Sequence, residues 1–351
     1  MEEIRIGVVG AGGWGKNLVR NFAGARGGRL SYCCDLNEET LRRLGPLHPE
    51  VRMTTRVEEV IEAKDVDAVV VATDAITHYA MARRALEAGK HVYVEKPLAL
   101  VAREAREIVA LAAEKDLRLM VGHLLLFHPA VEKLEALIDA GELGDIHYMY
   151  TQRLNLGVVR KDESAWWSLA PHDVSVVLHL FDAEPETVSA RGESYLRANV
   201  QDVVFVNLHF SDRRMAQIHV SWLDPHKMRK MTIVGSKKMV VFDDMEAAEK
   251  IKIYDKGADV SPGFASYDES ITLRQGDIHI PRVDMIEPLA RECQHFVDCI
   301  ANGSTPRTSG EDGLRVVRVL EAAQHSLQER GRPVTLEEPR GAARRFRAGS
   351  R

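Results

Sequence analysis

An apolar run over residues 4–9 meets Gly10, Gly12 and Gly15, and a segment with helical spacing follows over residues 16–22. A strand, a glycine turn and a helix in that order open a βαβ unit, which commits the chain to a parallel sheet covered by helices. Glycines at this G-x-G-x-x-G spacing permit a tight turn, close approach of backbone to a pyrophosphate, and close packing of helix on strand. The helix N–H groups and the positive end of its dipole then face the phosphates. Gly10, Gly12, Gly13, Trp14 and Gly15 are therefore the candidate contacts to a dinucleotide. The next strand, residues 29–35, ends in Asp35, about 20 residues beyond the last glycine, where an acid meets the adenosine ribose. A carboxylate there accepts from the 2′- and 3′-hydroxyls and repels a 2′-phosphate, which predicts NAD over NADP. The other reading of Asp35 is a cap for a helix beginning at residues 36–38.

The strand–helix alternation continues. Helices are predicted over residues 57–63, 77–88 and 101–114, and strands over residues 67–72, 91–94 and 117–122. Residues 68–72 are apolar throughout, as a strand covered on both faces requires. The outcome is a doubly wound parallel sheet with right-handed crossovers. The strand at residues 91–94 stops abruptly in Glu95, Lys96 and Pro97. Proline lacks the N–H needed to continue a ladder, so the acid and the base sit at the carboxyl end of that strand. Ligands of open α/β sheets bind at that edge. The pair is either a solvated strand end or part of a reaction site.

From residue 145 onward strands dominate, over residues 145–154, 187–195, 202–210, 215–223, 230–235 and 239–243. Val204, Val206, Leu208 and Phe210 share one face of a strand, and Ala216, Ile218, Val220 and Trp222 share one face of the next. A period of two indicates a mainly antiparallel open sheet with one face on a core. A helix is predicted over residues 130–140, another from Pro171 with Val174, Val177 and Leu178 as its buried stripe, and two closing helices over residues 287–302 and 312–328. At 351 residues the chain is long for one core. Its predicted organisation is a Rossmann domain over residues 1–122, an α+β domain over residues 123–338, and a basic, disordered tail over residues 339–351.

Composition narrows the partners. The net charge of −5 supplies no global attraction for nucleic acid or an anionic membrane. No apolar run reaches the roughly 18 residues of a spanning helix, and the acidic start Met1-Glu-Glu is unlike a secretory signal. Cys33, Cys34, Cys293 and Cys299 lack zinc-ligand spacing, and the histidines at 123, 128, 147, 209 and 219 suggest no metal cage. A cytoplasmic protein with reduced thiols and no metal is expected.

Together, the glycine turn over residues 10–15, His78 with residues 85–92, and Glu95-Lys96-Pro97 resemble the glucose–fructose oxidoreductase/inositol dehydrogenase (Gfo/Idh/MocA) family over nearly the whole chain. The resemblance implies an NAD(P)-dependent oxidoreductase acting on a sugar or cyclitol hydroxyl, with substrate between the Rossmann edge and the sheet domain. It implies Lys96 at the substrate beside the nicotinamide, Glu95 and Pro97 shaping that loop and touching cofactor, and Thr73, Asp74 and His78 lining the nicotinamide side. Asp74 stands where the family often has proline or asparagine. His172 matches the catalytic histidine of the family's D-x-x-x-H motif, but the aspartate position holds Ser168. Either Asp173 takes over orientation of the imidazole or the relay is shorter. His123, Arg153, Asn155, Ser168 and Asp173 join Lys96 and His172 as candidate substrate contacts; Arg153 and Asn155 serve equally well as structural strand-end residues. The basic turn over residues 225–230 suits the pyrophosphate of a nucleotide sugar or is simply solvated. Residues 152–157, 170–173, 221–223 and 234–236 are similar to members that oxidise C3 of a UDP-N-acetylglucosamine-derived uronate. The rivals are an inositol or free-sugar dehydrogenase, a keto-sugar reductase, and a non-enzymatic sensor of NAD or sugar. Homodimers or homotetramers built through the C-terminal sheet are implied as well.

Overall fold

The computed structural model describes residues 3–157, 159–160, 163–260 and 271–336. The tail expected to be disordered, residues 339–351, lies outside the described residues. The chain begins β1 (Ile4–Val9), α1 (Gly15–Ala23), β2 (Gly28–Cys34), α2 (Glu38–Leu44), β3 (Arg52–Thr54), α3 (Glu58–Ile61), β4 (Ala68–Val71), α4 (Ala75–Glu87), β5 (His91–Glu95), α5 (Ala102–Glu114) and β6 (Leu119–Gly122). It continues with α6 (Pro129–Asp139), β7 (Ile146–Leu154), α7 (Ala165–Phe181), β8 (Thr187–Glu193), β9 (Val203–His209), β10 (Met215–Ser221), β11 (Met228–Gly235), β12 (Met239–Asp243), β13 (Ile251–Val260) and β14 (Ile271–His279). α8 (Pro288–Asn302), α9 (Gly310–Gln328) and β15 (Val334–Thr335) close it. Two compact units result, Met1–His128 with Ile286–Glu321, and Pro129–Met285 with Ala322–Arg351.

In the first unit all six strands run parallel in the order β3-β2-β1-β4-β5-β6. The order reverses between β1 and β4, which opens a crevice at the carboxyl ends of those strands. Alternate residues send their side chains to opposite faces. Ile6, Val8, Val70, Tyr93 and Met120 pack with Leu18 and Phe22 of α1 and Phe296 of α8 on one side. Val9, Val69, Val71, Val92 and Val94 pack with Leu86 of α4 and Ile108 of α5 on the other. With helices on both faces, these strands are apolar throughout and show no alternation. β3 is a strand that pattern reading passes over, because three residues are too few for periodicity to register.

The second unit is a nine-stranded sheet ordered β14-β13-β12-β11-β7-β10-β9-β8-β15. It is antiparallel except where β7 and β10 pair in parallel. The predicted inward residues are buried, with Val204, Val206, Leu208, Ile218 and Val220 fully so. Helix α7 lies across this core, against β7, β9 and β10. It begins at Ala165, not at Pro171, which sits inside the helix. A first-turn place suits proline best, but Ala165, Trp166 and Ala170 are all completely buried. Their burial outweighs the one backbone hydrogen bond that Pro171 cannot make. The opposite sheet face leaves Tyr148, Phe205 and Met215 about half exposed, with Phe205 stacked on His219 at 4.1 Å between ring centroids.

Candidate functional site

The glycine turn is built by close packing. Gly10 has a positive φ of 91°, and a Cβ there would meet the Ala72 backbone at 2.6 Å. A Cβ on Gly15 would lie 2.0 Å from the carbonyl oxygen of Gly10, so the turn and α1 pack only when both positions lack side chains. Gly12 and Gly13 differ: added Cβ atoms there would meet nothing within 4 Å, and both residues are exposed. The turn is thus sealed beneath and open above. α1 has no acidic residue in its first turn, so its positive end is unneutralised. This arrangement fits a dinucleotide pyrophosphate.

Asp35 follows β2 directly. Its Oδ2 accepts from the Ala11 backbone N–H at 2.7 Å and its Oδ1 from Asn37 N–H at 2.8 Å. Asn37, not Asp35, caps α2, accepting from the N–H groups of Glu39 and Thr40. Asp35 therefore ties the end of β2 to the glycine turn, a half-buried carboxylate where a ribose is expected.

The carboxyl edge of β4, β5 and β6 gathers most of the other candidates from the N-terminal half. His78 of α4 is buried, with Nδ1 2.7 Å from the Pro97 carbonyl and Nε2 2.9 Å from the Thr73 carbonyl. Both nitrogens thus join the loops after β4 and β5, so His78 shapes the edge from beneath. Burial pushes its pKa down, and the two carbonyls oppose that. Thr73 shares a 2.6 Å hydroxyl contact with Thr77, and Asp74 is exposed at the amino end of α4, where the dipole favours a carboxylate. Glu95 is buried and accepts from Trp14 Nε1 at 2.6 Å. That bond joins the glycine turn to the Glu95-Lys96-Pro97 strand end; both residues stand out in the sequence, but nothing in their spacing pairs them. The Lys96–Pro97 peptide is cis. His123, just past β6, is 1% exposed, and neither ring nitrogen has a hydrogen-bond partner among the described residues. Burial pushes its pKa to about 4; Asp312 opposes the fall and the charge of Lys96 adds to it. It is a neutral imidazole within electrostatic reach of Lys96.

In the second unit Ser168 and His172 lie one turn apart on α7, on the same face. His172 is half-buried in the middle of the helix, not at its amino end, because the helix starts at Ala165. Asp173 is engaged by another partner. Its carboxylate receives Arg153 of β7, Nε to Oδ2 at 2.5 Å and Nη2 to Oδ1 at 3.3 Å. Adjacent helical residues point about 100° apart, so Asp173 turns from the His172 face toward the sheet. Asn155 N–H bonds the Ser221 carbonyl, continuing the β7–β10 ladder. In the basic turn Lys230 pairs with Asp243 at the end of β12 and Arg229 with Asp244 just beyond it, so two of its charges are already matched. Among the described residues no cluster of three metal-ligating side chains occurs, and no helix is long and apolar enough to cross a membrane.

Comparison with known proteins identifies relatives along nearly the whole chain. Residues 4–123 match the family model described as an oxidoreductase family with an NAD-binding Rossmann fold, and residues 135–336 match that family's C-terminal alpha/beta domain. The UDP-N-acetylglucosamine 3-dehydrogenase of Acidithiobacillus ferrooxidans is 28% identical over 92% of this chain and 96% of its own. A solved structure of that enzyme superposes with a TM-score of 0.79 at 26% identity, covering 94% of this chain and 99% of that one. The NAD(+)-linked scyllo-inositol 2-dehydrogenase of Bacillus subtilis is 26% identical over 95% of this chain and 97% of its own.

Proposed function

This chain belongs to the Gfo/Idh/MocA oxidoreductase family, with its NAD-binding Rossmann fold, and from that premise we propose that it oxidises a ring hydroxyl of a sugar to a ketone. The observation that carries the reading is the shared carboxyl edge of the first unit. The open glycine turn, Asp35 and the strand end bearing Lys96 all belong to it, and Trp14 bonded to Glu95 links turn and strand end. The turn and α1 hold the pyrophosphate of NAD, and Asp35 takes the adenosine ribose. NAD, when bound, supplies the nicotinamide carbon that accepts a hydride. Lys96 donates to the reacting hydroxyl oxygen and stabilises the negative charge that develops there. His172 takes the hydroxyl proton as general base, since a free imidazole titrates near working pH.

The substrate we propose is a nucleotide sugar oxidised at C3, a UDP-N-acetylglucosamine or its uronate. The full-length similarity to the Acidithiobacillus enzyme supports it. An inositol is the second reading, supported by the Bacillus relative at nearly equal identity. NADH formation measured on UDP-N-acetylglucosamine, its uronate, myo-inositol, scyllo-inositol and glucose separates them. Turnover confined to a UDP-sugar is expected; turnover confined to an inositol or free sugar assigns the other class. In the same assay NADP should serve at least about tenfold less well than NAD, a difference of ~1.4 kcal/mol from the Asp35 charge. Equal use of the two cofactors removes the ribose role of Asp35.

We also propose that the outward sheet face bearing Tyr148, Phe205 and Met215 meets a second copy of the chain. Light scattering at micromolar concentration should give a dimer or tetramer, and Phe205→Asp should shift it toward smaller species. A monomeric wild-type protein rules this out.

A further inference from the structure

α8 carries an anomaly on its buried stripe. Leu289, Cys293, Phe296 and Val297 are at most 4% exposed, and among them Glu292 is completely buried. Neither carboxyl oxygen of Glu292 has an aligned hydrogen-bond partner among the described residues. It lies beside Tyr93, also fully buried, whose ring meets Phe22 and Phe296 edge-on at 5.9 and 5.8 Å between centroids. Phe22 and Phe296 meet edge-on in turn at 6.2 Å, so three rings close one side of the space against water. The Tyr93 hydroxyl stands 3.4 Å from Oε1 of Glu95. Gly122 of β6 faces the same point: a Cβ there would come within 2.7 Å of that hydroxyl and 3.1 Å of the Glu95 carboxyl. The missing side chain at Gly122 is what makes room for them.

Two buried carboxyl groups that share one phenol between them do not both ionise readily. Their surroundings decide which keeps the proton. Glu95 receives Trp14 Nε1–H at 2.6 Å, the Lys96 backbone N–H at 3.2 Å and the Tyr93 hydroxyl, and it feels the charge of Lys96. Of these groups only the Tyr93 hydroxyl acts on Glu292, and no cation is among the charges that do. We propose that Glu292 carries the proton of a buried Glu95–Glu292 pair, leaving Glu95 as the anion that fixes Trp14 in the glycine turn. Glu292 is thus a positioning residue for the cofactor site, acting through Tyr93 and Glu95; this role rests on the assignment of the turn to NAD.

The other titrating groups nearby favour that division. Burial pushes Glu292 well above the carboxylate range, with the charge of Glu95 adding to it and the Tyr93 hydroxyl alone opposing it. Burial also raises Glu95, but the Trp14 bond, Lys96 and Tyr93 pull it back. Tyr93 and Cys293 are both raised well above their ordinary values, chiefly by burial, and stay neutral. Glu287 and Arg20, toward the start of α8, act on Cys293 with opposite sign. An acid raised on folding stabilises fully below its unfolded pKa of about 4.3 and loses that contribution as pH rises toward the folded value. The contribution of Glu292 to stability should therefore fall as pH rises above that unfolded value, and removing the proton site should remove this fall.

Three measurements on the full chain test this. At pH 7 the infrared spectrum should contain the C=O stretch of a protonated carboxyl that disappears in Glu292→Gln. Between pH 6 and 9 the melting temperature of Glu292→Gln should gain steadily on wild type, because the amide keeps the shape of the neutral acid and has no proton to lose. NAD affinity should stay within about twofold in Glu292→Gln and drop about tenfold in Glu292→Ala and in Trp14→Phe. If Glu292→Ala does not fold, Glu292→Gln still decides the matter. The proton assignment is overturned by the absence of that band, or by parallel melting curves. The positioning role alone is overturned if Glu292→Gln weakens NAD tenfold or if Trp14→Phe leaves affinity unchanged. The first two readouts involve no cofactor, so they stand apart from the dinucleotide reading.

Discussion

Replacing Lys96 or His172 with alanine is expected to lower turnover by about a hundredfold or more while leaving NAD affinity within a few-fold. Lys96 follows a strand that is buried from Val92 onward and whose last residue, Glu95, is hydrogen-bonded. The backbone that carries the ammonium is therefore held in place, and alanine removes the charge without loosening the strand. An alkoxide-like oxygen forming beside it then loses its main electrostatic support, and that loss falls on the transition state more than on bound substrate. The expected signature is a fall in kcat with KM little changed. His172→Ala should differ in its pH profile. A general base must be deprotonated to act, so the wild-type rate should rise with pH through one ionisation, and the variant should lose that limb. Steady-state kinetics on the true substrate from pH 5 to 9 reads both effects. Full activity in both variants sinks the assigned roles.

What could be read from the chain beforehand follows the reach of each interaction. The glycine turn is local: three glycines, a preceding strand and a following helix lie within one short segment, and the structure builds it by contacts among those same residues. The inward faces of β9 and β10 are equally local, because side-chain alternation is a property of each strand. Pairing is not. Nothing in residues 146–154 says that β7 will lie parallel to β10 and antiparallel to β11. The early start of α7 depended on the burial of Ala165 and Trp166, which is settled only once the chain has folded, so proline preference alone misplaced it. Asp173 was set beside His172 by adjacency, yet its partner Arg153 is 20 residues away on another element. Glu292 left a faint trace, a charged residue on an otherwise apolar stripe of a helix, but its companions Tyr93 and Glu95 lie some two hundred positions earlier. Chemistry carried by one segment could be read from sequence; chemistry assembled from several could not.

Asp173→Ala should destabilise the protein by about 3–5 kcal/mol, the usual cost of stripping one partner from a buried ion pair. The side chains of Arg153 and Asp173 are only 11% and 5% exposed, so water cannot replace the lost carboxylate, and a guanidinium remains with two donors unmatched. Asp173→Asn should cost less, because the amide oxygen still accepts from Arg153 while the charge attraction is gone. Arg153→Met combined with Asp173→Leu should cost less than the two single changes added together, since the pair is removed along with its desolvation penalty. Urea unfolding followed by near-ultraviolet circular dichroism measures these differences; with two compact units, the transition that reports the sheet unit is the one to compare. The same variants discriminate between a structural tie and direct substrate contact. As a tie between β7 and α7, the pair should lose midpoint stability, and the folded fraction should retain a KM close to wild type. Residues that grip substrate would give the reverse, a raised KM on an unshifted unfolding curve, and that result would return Arg153 and Asp173 to the substrate site.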